Sequence, residues 1–103
     1  FIAFDQKQRL VAAGTLANDC NSEKAEVTIS VREDCKGRGI GWRMLEYILR
    51  YASAHSIQVV QSFENAENHA AIALEREMGF KISRSDDDRA EVVASKSLGR
   101  QRA

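Results

Sequence analysis

Proline is absent from this chain of 103 residues, and cysteine nearly so, with Cys20 and Cys35 the two examples. The missing proline by itself excludes no class of fold. Two cysteines cannot build a disulfide framework and show no zinc-ligand spacing, so free thiols in a reducing cytoplasm are the simplest reading. An excess of either charge is lacking too: 15 basic residues balance 15 acidic ones. That balance argues against nucleic acid or an anionic membrane as partner. No apolar run is long enough to span a bilayer and no signal-peptide pattern is recognisable, so a cytoplasmic location is expected. The two histidines, His55 and His69, lack metal-like spacing, and no metal is expected. A hydrophobic fraction of 44% allows one small domain with a modest core.

What is present centres on Asp34-Cys35-Lys36-Gly37-Arg38-Gly39-Ile40-Gly41-Trp42-Arg43. Before it, Ala25 to Val31 alternates like a strand. After it, Leu45, Ile48, Leu49 and Ala52, with Met44 beside them, recur at helical spacing to about Ala54. A glycine-rich turn between a strand and a helix aims backbone N–H groups outward at the positive end of the helix dipole, a ready seat for phosphate oxygens. Gly37, Gly39 and Gly41 permit the tight path. A nucleotide P-loop is excluded, because no Gly-Lys-Ser/Thr ending follows, and the glycine spacing does not suit a dinucleotide fold.

The remaining elements follow in order. Phe1 to Phe4 and Arg9 to Ala17 read as strands around the polar turn 5–8, and with Ala25 to Val31 they make an antiparallel meander. The stretch 18–24 carries turn chemistry. Ile57 to Phe63 is a further strand, and strand, helix, strand predicts a parallel crossover. Asn68 is a candidate N-cap for a helix over Ala70 to Met78, with Ala71, Leu74 and Met78 on one stripe and Gly79 at its C-terminal end. Phe80 to Ile82 and Glu91 to Leu98 form a hairpin around the acidic turn 85–89. Residues 1–98 thus read as one α/β domain with a mixed sheet, and 99–103 as a polar tail. The chain starts on an apolar strand without an initiator Met, so further residues are expected upstream.

This order of elements resembles the GNAT family of acetyl-CoA-dependent N-acetyltransferases. Lys36-Gly37-Arg38-Gly39-Ile40-Gly41 is similar to the family's Gln/Arg-x-x-Gly-x-Gly/Ala turn, with Lys in place of the first residue. Ile29 and Val31 stand where the family has an aliphatic pair, and Asn68 and Gly79-Phe80 bracket a helix as the family's second mark does. The first strand and helices of the family fold have no counterpart here. A narrower likeness, to bacterial protein-lysine acetyltransferases of the Pat type, rests on Ala25-Glu26, Glu67-Asn68 and the acidic turn Asp86-Asp87-Asp88.

The resemblance implies acetyl transfer from acetyl-CoA to a primary amine, preferably a protein lysine, by direct attack in a ternary complex. It implies that the amides of Arg38, Gly39, Ile40 and Gly41 hold the coenzyme A pyrophosphate within a site running from Lys36 to Trp42, with Lys36, Arg38 and Arg43 adding charge. The cofactor arm would pair with Ile29, Ser30 and Val31, one amide there stabilising the oxyanion, and Asn68 would bond the arm. Glu26 is the candidate general base, on the strand face of Thr28 and Ser30, with burial expected to strengthen its hold on a proton. The family's usual general acid, a Tyr on the second helix, is replaced by Glu75, and Tyr47 and Tyr51 do not match that position. The thiolate therefore leaves without a protein acid, or activity is weak. Two other readings stay open, a non-catalytic acyl-CoA sensor and a purely structural α+β domain with an empty turn, and a homodimer could complete the open sheet edge.

Overall fold

The β-alternation and helical spacing of the sequence condense into one six-stranded mixed sheet that carries two α-helices. The computed structural model describes residues 1–18, 23–86 and 89–99. The strands are β1 (Ile2–Phe4), β2 (Leu10–Asn18), β3 (Lys24–Val31), β4 (Val59–Asn65), β5 (Lys81–Arg84) and β6 (Glu91–Ser97). The helices are α1 (Ile40–Ala54), between β3 and β4, and α2 (His69–Glu77), between β4 and β5. The sheet order is β1-β2-β3-β4-β6-β5. The meander, the crossover and the C-terminal hairpin all match the expectation: only β3 and β4 pair in parallel among the described strands. The turn between β1 and β2 is fastened by Asp5, whose carboxylate accepts the backbone N–H groups of Lys7 and Arg9, each at 2.9 Å. The Arg9 N–H foremost holds that carboxyl below its usual range.

Alternation along β3 sends Ala25 and Val27 inward while Glu26, Thr28 and Ser30 stay exposed. The inward residues share a core with Val11 and Ala12 of β2, Val60 of β4 and Ala94 of β6, and with Met44, Leu45, Ile48, Leu49 and Ala52 of α1. Gly14 of β2 lets α1 settle close to the sheet: a Cβ there would lie 2.9 Å from Ile48 Cδ1 and 3.0 Å from Met44 Sδ. No described helix is long and apolar enough to cross a membrane.

The β3–β4 ladder is short. It runs Lys24↔Val59, Ala25↔Val60 and Glu26↔Gln61 and stops, although β3 continues to Val31 and β4 to Asn65. β4 instead keeps its whole length on β6, from Val59↔Ser97 to Asn65↔Glu91. Past Glu26 the two strands part, and the start of α1 sits over the gap. Gly41 lies where a Cβ would be 3.6 Å from Leu74 Cδ2 of α2 and 3.7 Å from Val31 Cγ2 of β3.

Several boundaries differ from the sequence reading. Helix α1 begins at Ile40, four residues before Met44, because Gly39 at φ 80° already turns the chain into the helix. Gly41 is therefore a helical residue, and only Gly37 and Gly39 of the triplet take positive φ. A single 3₁₀ turn, Glu33–Cys35, intervenes after β3. Strand β4 starts two residues later than expected, because the Ile57 N–H bonds back to the Ala52 carbonyl at 3.0 Å and Gln58 and Val59 bond to Glu23. Helix α2 ends in paired bonds, Gly79 N–H to Arg76 and Phe80 N–H to Glu75, the Schellman arrangement that a residue at positive φ allows. Phe80 is consequently a buried cap contact and not the first residue of β5. Cys20, most of the turn at 18–24, Asp87, Asp88 and the tail beyond Gly99 lie outside the described residues.

Ile48 is fully buried at the centre of the helix–sheet contact. Ile48→Ala should lower the unfolding free energy by about 2–5 kcal/mol in urea melts, whereas Glu46→Ala on the exposed face of α1 should change it by less than about 0.5 kcal/mol.

Candidate functional site

The start of α1 leaves backbone donors without helical partners. Its first ladder bond is Arg43 N–H to the Gly39 carbonyl at 3.0 Å, which leaves the N–H groups of Ile40, Gly41 and Trp42 outside the helical ladder. No side chain caps this end and no acidic residue lies in its first turn. A 15-residue helix therefore presents an uncapped positive end. Gly37 and Gly39 lead into it with open space where a Cβ would stand. The turn is moored by Arg32, whose guanidinium donates to the Asp34 carboxylate, the Leu10 carbonyl and the Cys35 sulfur. Their hydrogen bond holds the Asp34 carboxyl below its usual range and Arg32 above its own.

Between this helix start, the parted ends of β3 and β4, and α2 lies a cavity of about 440 Å³. Ten of the sequence-predicted residues line it: Ile29, Ser30 and Val31 of β3, Lys36, Gly37, Gly39, Ile40, Gly41 and Trp42 of the turn and helix, and Asn68 at the N-terminal cap of α2. Beyond Glu26 the β3 ladder faces this opening without a partner strand, so an extended ligand could add to its edge as a strand would. Lys36 stands in an ion pair with the exposed Glu33 at 2.9 Å.

Two predicted residues lie elsewhere. Arg38 lines a second hollow, together with Arg43, Tyr47 and the β1 segment. It is flanked on both sides by glycines at positive φ. Glu26 does not line the cavity either; alternation gives that place to Val27. Glu26 sits on the opposite sheet face, at the last rung before the strands part, opposite Gln61. It is exposed, so the burial expected for it is not found.

Asn68 works as a cap. Its side-chain oxygen accepts from Ala71 N at 3.4 Å, and its Nδ2 donates to Glu64 Oε2 at 3.3 Å. The other Glu64 oxygen accepts from the Ser62 hydroxyl at 2.7 Å. Beside this pair is the residue that sequence reasoning did not count as part of the site. Glu75 is 5% exposed, lines the cavity, and leaves Oε1 buried without a hydrogen-bond partner. Burial first, and the neighbouring Glu64 charge second, push its carboxyl up to about 7. A signal existed: Glu75 falls on the Ala71–Met78 stripe at spacings of four and three, a charge on an otherwise apolar face.

A family model described as the acetyltransferase (GNAT) family matches residues 1–80. The L-methionine sulfoximine/L-methionine sulfone acetyltransferase of Pseudomonas aeruginosa is 34% identical over 58 residues, covering 56% of this chain and 34% of that protein. An uncharacterised N-acetyltransferase of Methanocaldococcus jannaschii is 34% identical over 76 residues, covering 66% of this chain and 34% of that protein. The chain thus spans 34% of the length of these curated relatives. Among solved structures, a GNAT superfamily phosphinothricin acetyltransferase from Sinorhizobium meliloti in complex with AcCoA aligns with a TM-score of 0.80 and 17% identity. That alignment covers 95% of this chain and 60% of the other, and at this identity it speaks for the fold alone.

The elevated carboxyl of Glu75 has a consequence for stability. Between its ordinary 4.5 and about 7 the folded chain keeps a proton that the unfolded chain has lost. Its stabilising effect is present in full below that window and is lost as pH rises through about 7. Asp5 and Asp34, with lowered values, act only below their ordinary 3.8. Tm should therefore fall as pH rises across the Glu75 window, by an amount on the order of 3 kcal/mol or roughly 10–20 °C. Glu75→Gln should flatten that slope in thermal melts at several pH values.

Proposed function

The chain belongs to the GNAT family of acetyltransferases, and from that membership we propose that it moves an acetyl group from acetyl-CoA to a primary amine by direct attack in a ternary complex. The observation that carries the reading is one cavity joining an uncapped helix N-terminus to the open edge of β3. Coenzyme A has the chemistry for both ends. Its pyrophosphate would meet the free N–H groups of Ile40, Gly41 and Trp42, next to Gly37, Gly39 and the Lys36 ammonium. Its amide-bearing arm would lie along Ile29, Ser30 and Val31, and Asn68 has amide capacity left for it. Acetyl-CoA supplies the activated acyl group; the residues of this chain position it and handle protons.

A β3 backbone N–H facing the opening is suited to the oxygen of the thioester, where charge develops during attack. Glu26 is the proposed base. At the last β3–β4 rung it stands on the far face of the sheet, so an amine approaching from that face would reach it directly or through water as the thioester enters from the cavity side.

For the acceptor we favour a small, amino-acid-like amine. The support is the name of the Pseudomonas relative, whose acceptors are methionine derivatives. The protein lysine suggested by the Pat-type likeness is the alternative arm. Self-association through the β1 edge, where Ile2, Phe4 and Leu10 are exposed, belongs to the proposal and is checked by sedimentation.

Calorimetry with acetyl-CoA should give binding heat and a rise in Tm; absence of both would overturn the reading. Gly39→Val crowds the cavity mouth and puts a branched side chain at φ 80°, and should weaken that binding about tenfold or more. Glu26→Gln should leave the Kd unchanged and lower turnover by about 10²-fold or more. Thiol release with methionine sulfone against a lysine peptide decides the acceptor arm. Binding with no release on either would point to a sensor.

A further inference from the structure

One end of the cavity is acidic, and its hydrogen bonding is incomplete. Ser62 and Glu64 stand two apart on β4, Asn68 caps α2, and Glu75 comes from the body of that helix. Glu64 has a donor on each oxygen, the Ser62 hydroxyl at 2.7 Å and the Asn68 amide at 3.3 Å. Glu75 is 5% exposed, and its Oε1 is buried with no donor. Burying a carboxyl oxygen without a donor is costly, and more so beside a second carboxylate. The walls around the pair are apolar, with Ala71 and Leu74 of α2 and Leu45 of α1 lining the same space. A leucine at 75 would extend that stripe of α2 without the cost.

Among the described residues, no cation of the chain meets this carboxyl. Lys36 alone is basic in the cavity lining, and its ammonium is paired with Glu33 at the outer turn. Arg76 is exposed and lies outside the lining. Lys96 of β6 reaches the C-terminal end of α2, its Nζ 2.7 Å from where a Cβ of Gly79 would be, and does not line the cavity. A donor for Oε1 then has to arrive with a ligand. The terminal torsion of a Glu side chain is broad, so Oε1 can turn toward a group that enters the cavity. A coenzyme arm along Ile29 to Val31, with its pyrophosphate at the start of α1, brings its acyl end toward the Glu26↔Gln61 rung where the strands part. Ser62 follows Gln61 on β4 and faces the cavity, and its hydroxyl acts on the Glu75 carboxyl. The acyl group is thus the part of the ligand that meets Glu75. A protonated amine on it would donate to Oε1 and bring positive charge to two carboxyl groups in a buried setting. An acyl methyl offers neither.

Resting on the acetyltransferase reading above, we propose that the cavity also takes a second class of acyl thioester, one whose short acyl chain ends in a protonated amine held by Glu75 with Glu64 behind it. Transfer follows the same course as for acetyl. The acceptor nitrogen bonds to the thioester carbon, and the carbon–sulfur bond breaks with its electron pair on sulfur. The sulfur takes a proton from solvent, and the acceptor nitrogen gives its extra proton to Glu26 or water. The amine of the acyl chain stays protonated on Glu75, which keeps it from attacking in place of the acceptor. The product is an aminoacylated amine.

The test uses two thioesters that differ only at the acyl terminus, β-alanyl-CoA with an ammonium and butyryl-CoA with a methyl, alongside acetyl-CoA. Binding is followed by calorimetry for wild type, Glu75→Leu and Glu75→Gln. Wild type should bind β-alanyl-CoA about tenfold or more tightly than butyryl-CoA. Glu75→Leu should abolish or reverse that preference, since an apolar wall favours the methyl. Glu75→Gln keeps an acceptor oxygen without the charge and should retain only part of the preference; being isosteric, it decides the matter should Glu75→Leu fail to fold. The proton gives a second readout. Burial first, and the Glu64 charge second, hold the Glu75 carboxyl up to about 7, so at pH 6 it is protonated in the free chain. Binding of β-alanyl-CoA at that pH should release about one proton, read from the heats in buffers of different ionisation enthalpy, and butyryl-CoA should release none. Butyryl-CoA bound as tightly as β-alanyl-CoA by wild type, equal proton release by the two, or a preference unchanged in the variants would overturn the proposal. If wild type binds none of the three thioesters, the acetyltransferase reading itself fails, an outcome distinct from failure of aminoacyl selection alone.

Discussion

The early end of the β3–β4 ladder is the constraint on which the rest of the structure depends. Three rungs join the strands, and beyond Glu26 and Gln61 each goes its own way. Had the ladder continued to Val31, the sheet would be closed where the cavity now lies. The parting is stable because both strands have other partners. β3 keeps β2 as far as Val31, and β4 keeps β6 along its full length. Helix α1 spans the divergence from one face, its apolar stripe covering β2 and β3 while its first turn stands over the gap. The opening is thus a product of the pairing scheme and does not require a loop to hold it apart.

Polarity is distributed along that opening in a definite order. At one end stands the positive terminus of α1, with no acidic residue in its first turn. Deeper in, between β4 and α2, stand Ser62, Glu64, Asn68 and Glu75. An anion is attracted to the first region and repelled by the second, which would orient a molecule with one charged end and one uncharged acyl end. Glu26 occupies the other face of the same sheet, separated from the cavity by the alternation that turns Val27 inward. Glu26 and Glu75 are thereby kept on different faces and cannot pair with each other directly.

Much of this was legible in the sequence, and the reasons differ by element. The meander, the crossover and the hairpin could be read because alternation and helical spacing report directly on which side of an element is buried. The tight glycine turn could be read because Gly37 and Gly39 take the positive φ that such a turn needs. Gly41 misled the helix boundary: glycine in a first helical turn looks like a turn residue when only composition is visible. The exposure of Glu26 and the separate lodging of Arg38 follow from strand pleat and turn geometry, and these depend on how far the β3–β4 pairing runs. Glu75 was recognised as a departure from the family's pattern, yet its burial against Glu64 needs two residues 11 apart on different elements brought face to face, which spacing within α2 alone does not disclose.

Three rungs also make a thin spine. Among the described strands, β1, β2 and β3 form one leaf of the sheet and β4, β6 and β5 another, joined by those rungs and by the Gln58 and Val59 N–H bonds to Glu23 at their lower end. The remaining coupling is side-chain packing beneath α1. Such a joint is compliant to changes of the angle between the leaves and stiff to sliding, since sliding would break register along the rungs while a small rotation would only shear apolar contacts. The molecule is in this sense a book with a short binding, whose pages can follow the thickness of whatever lies between them.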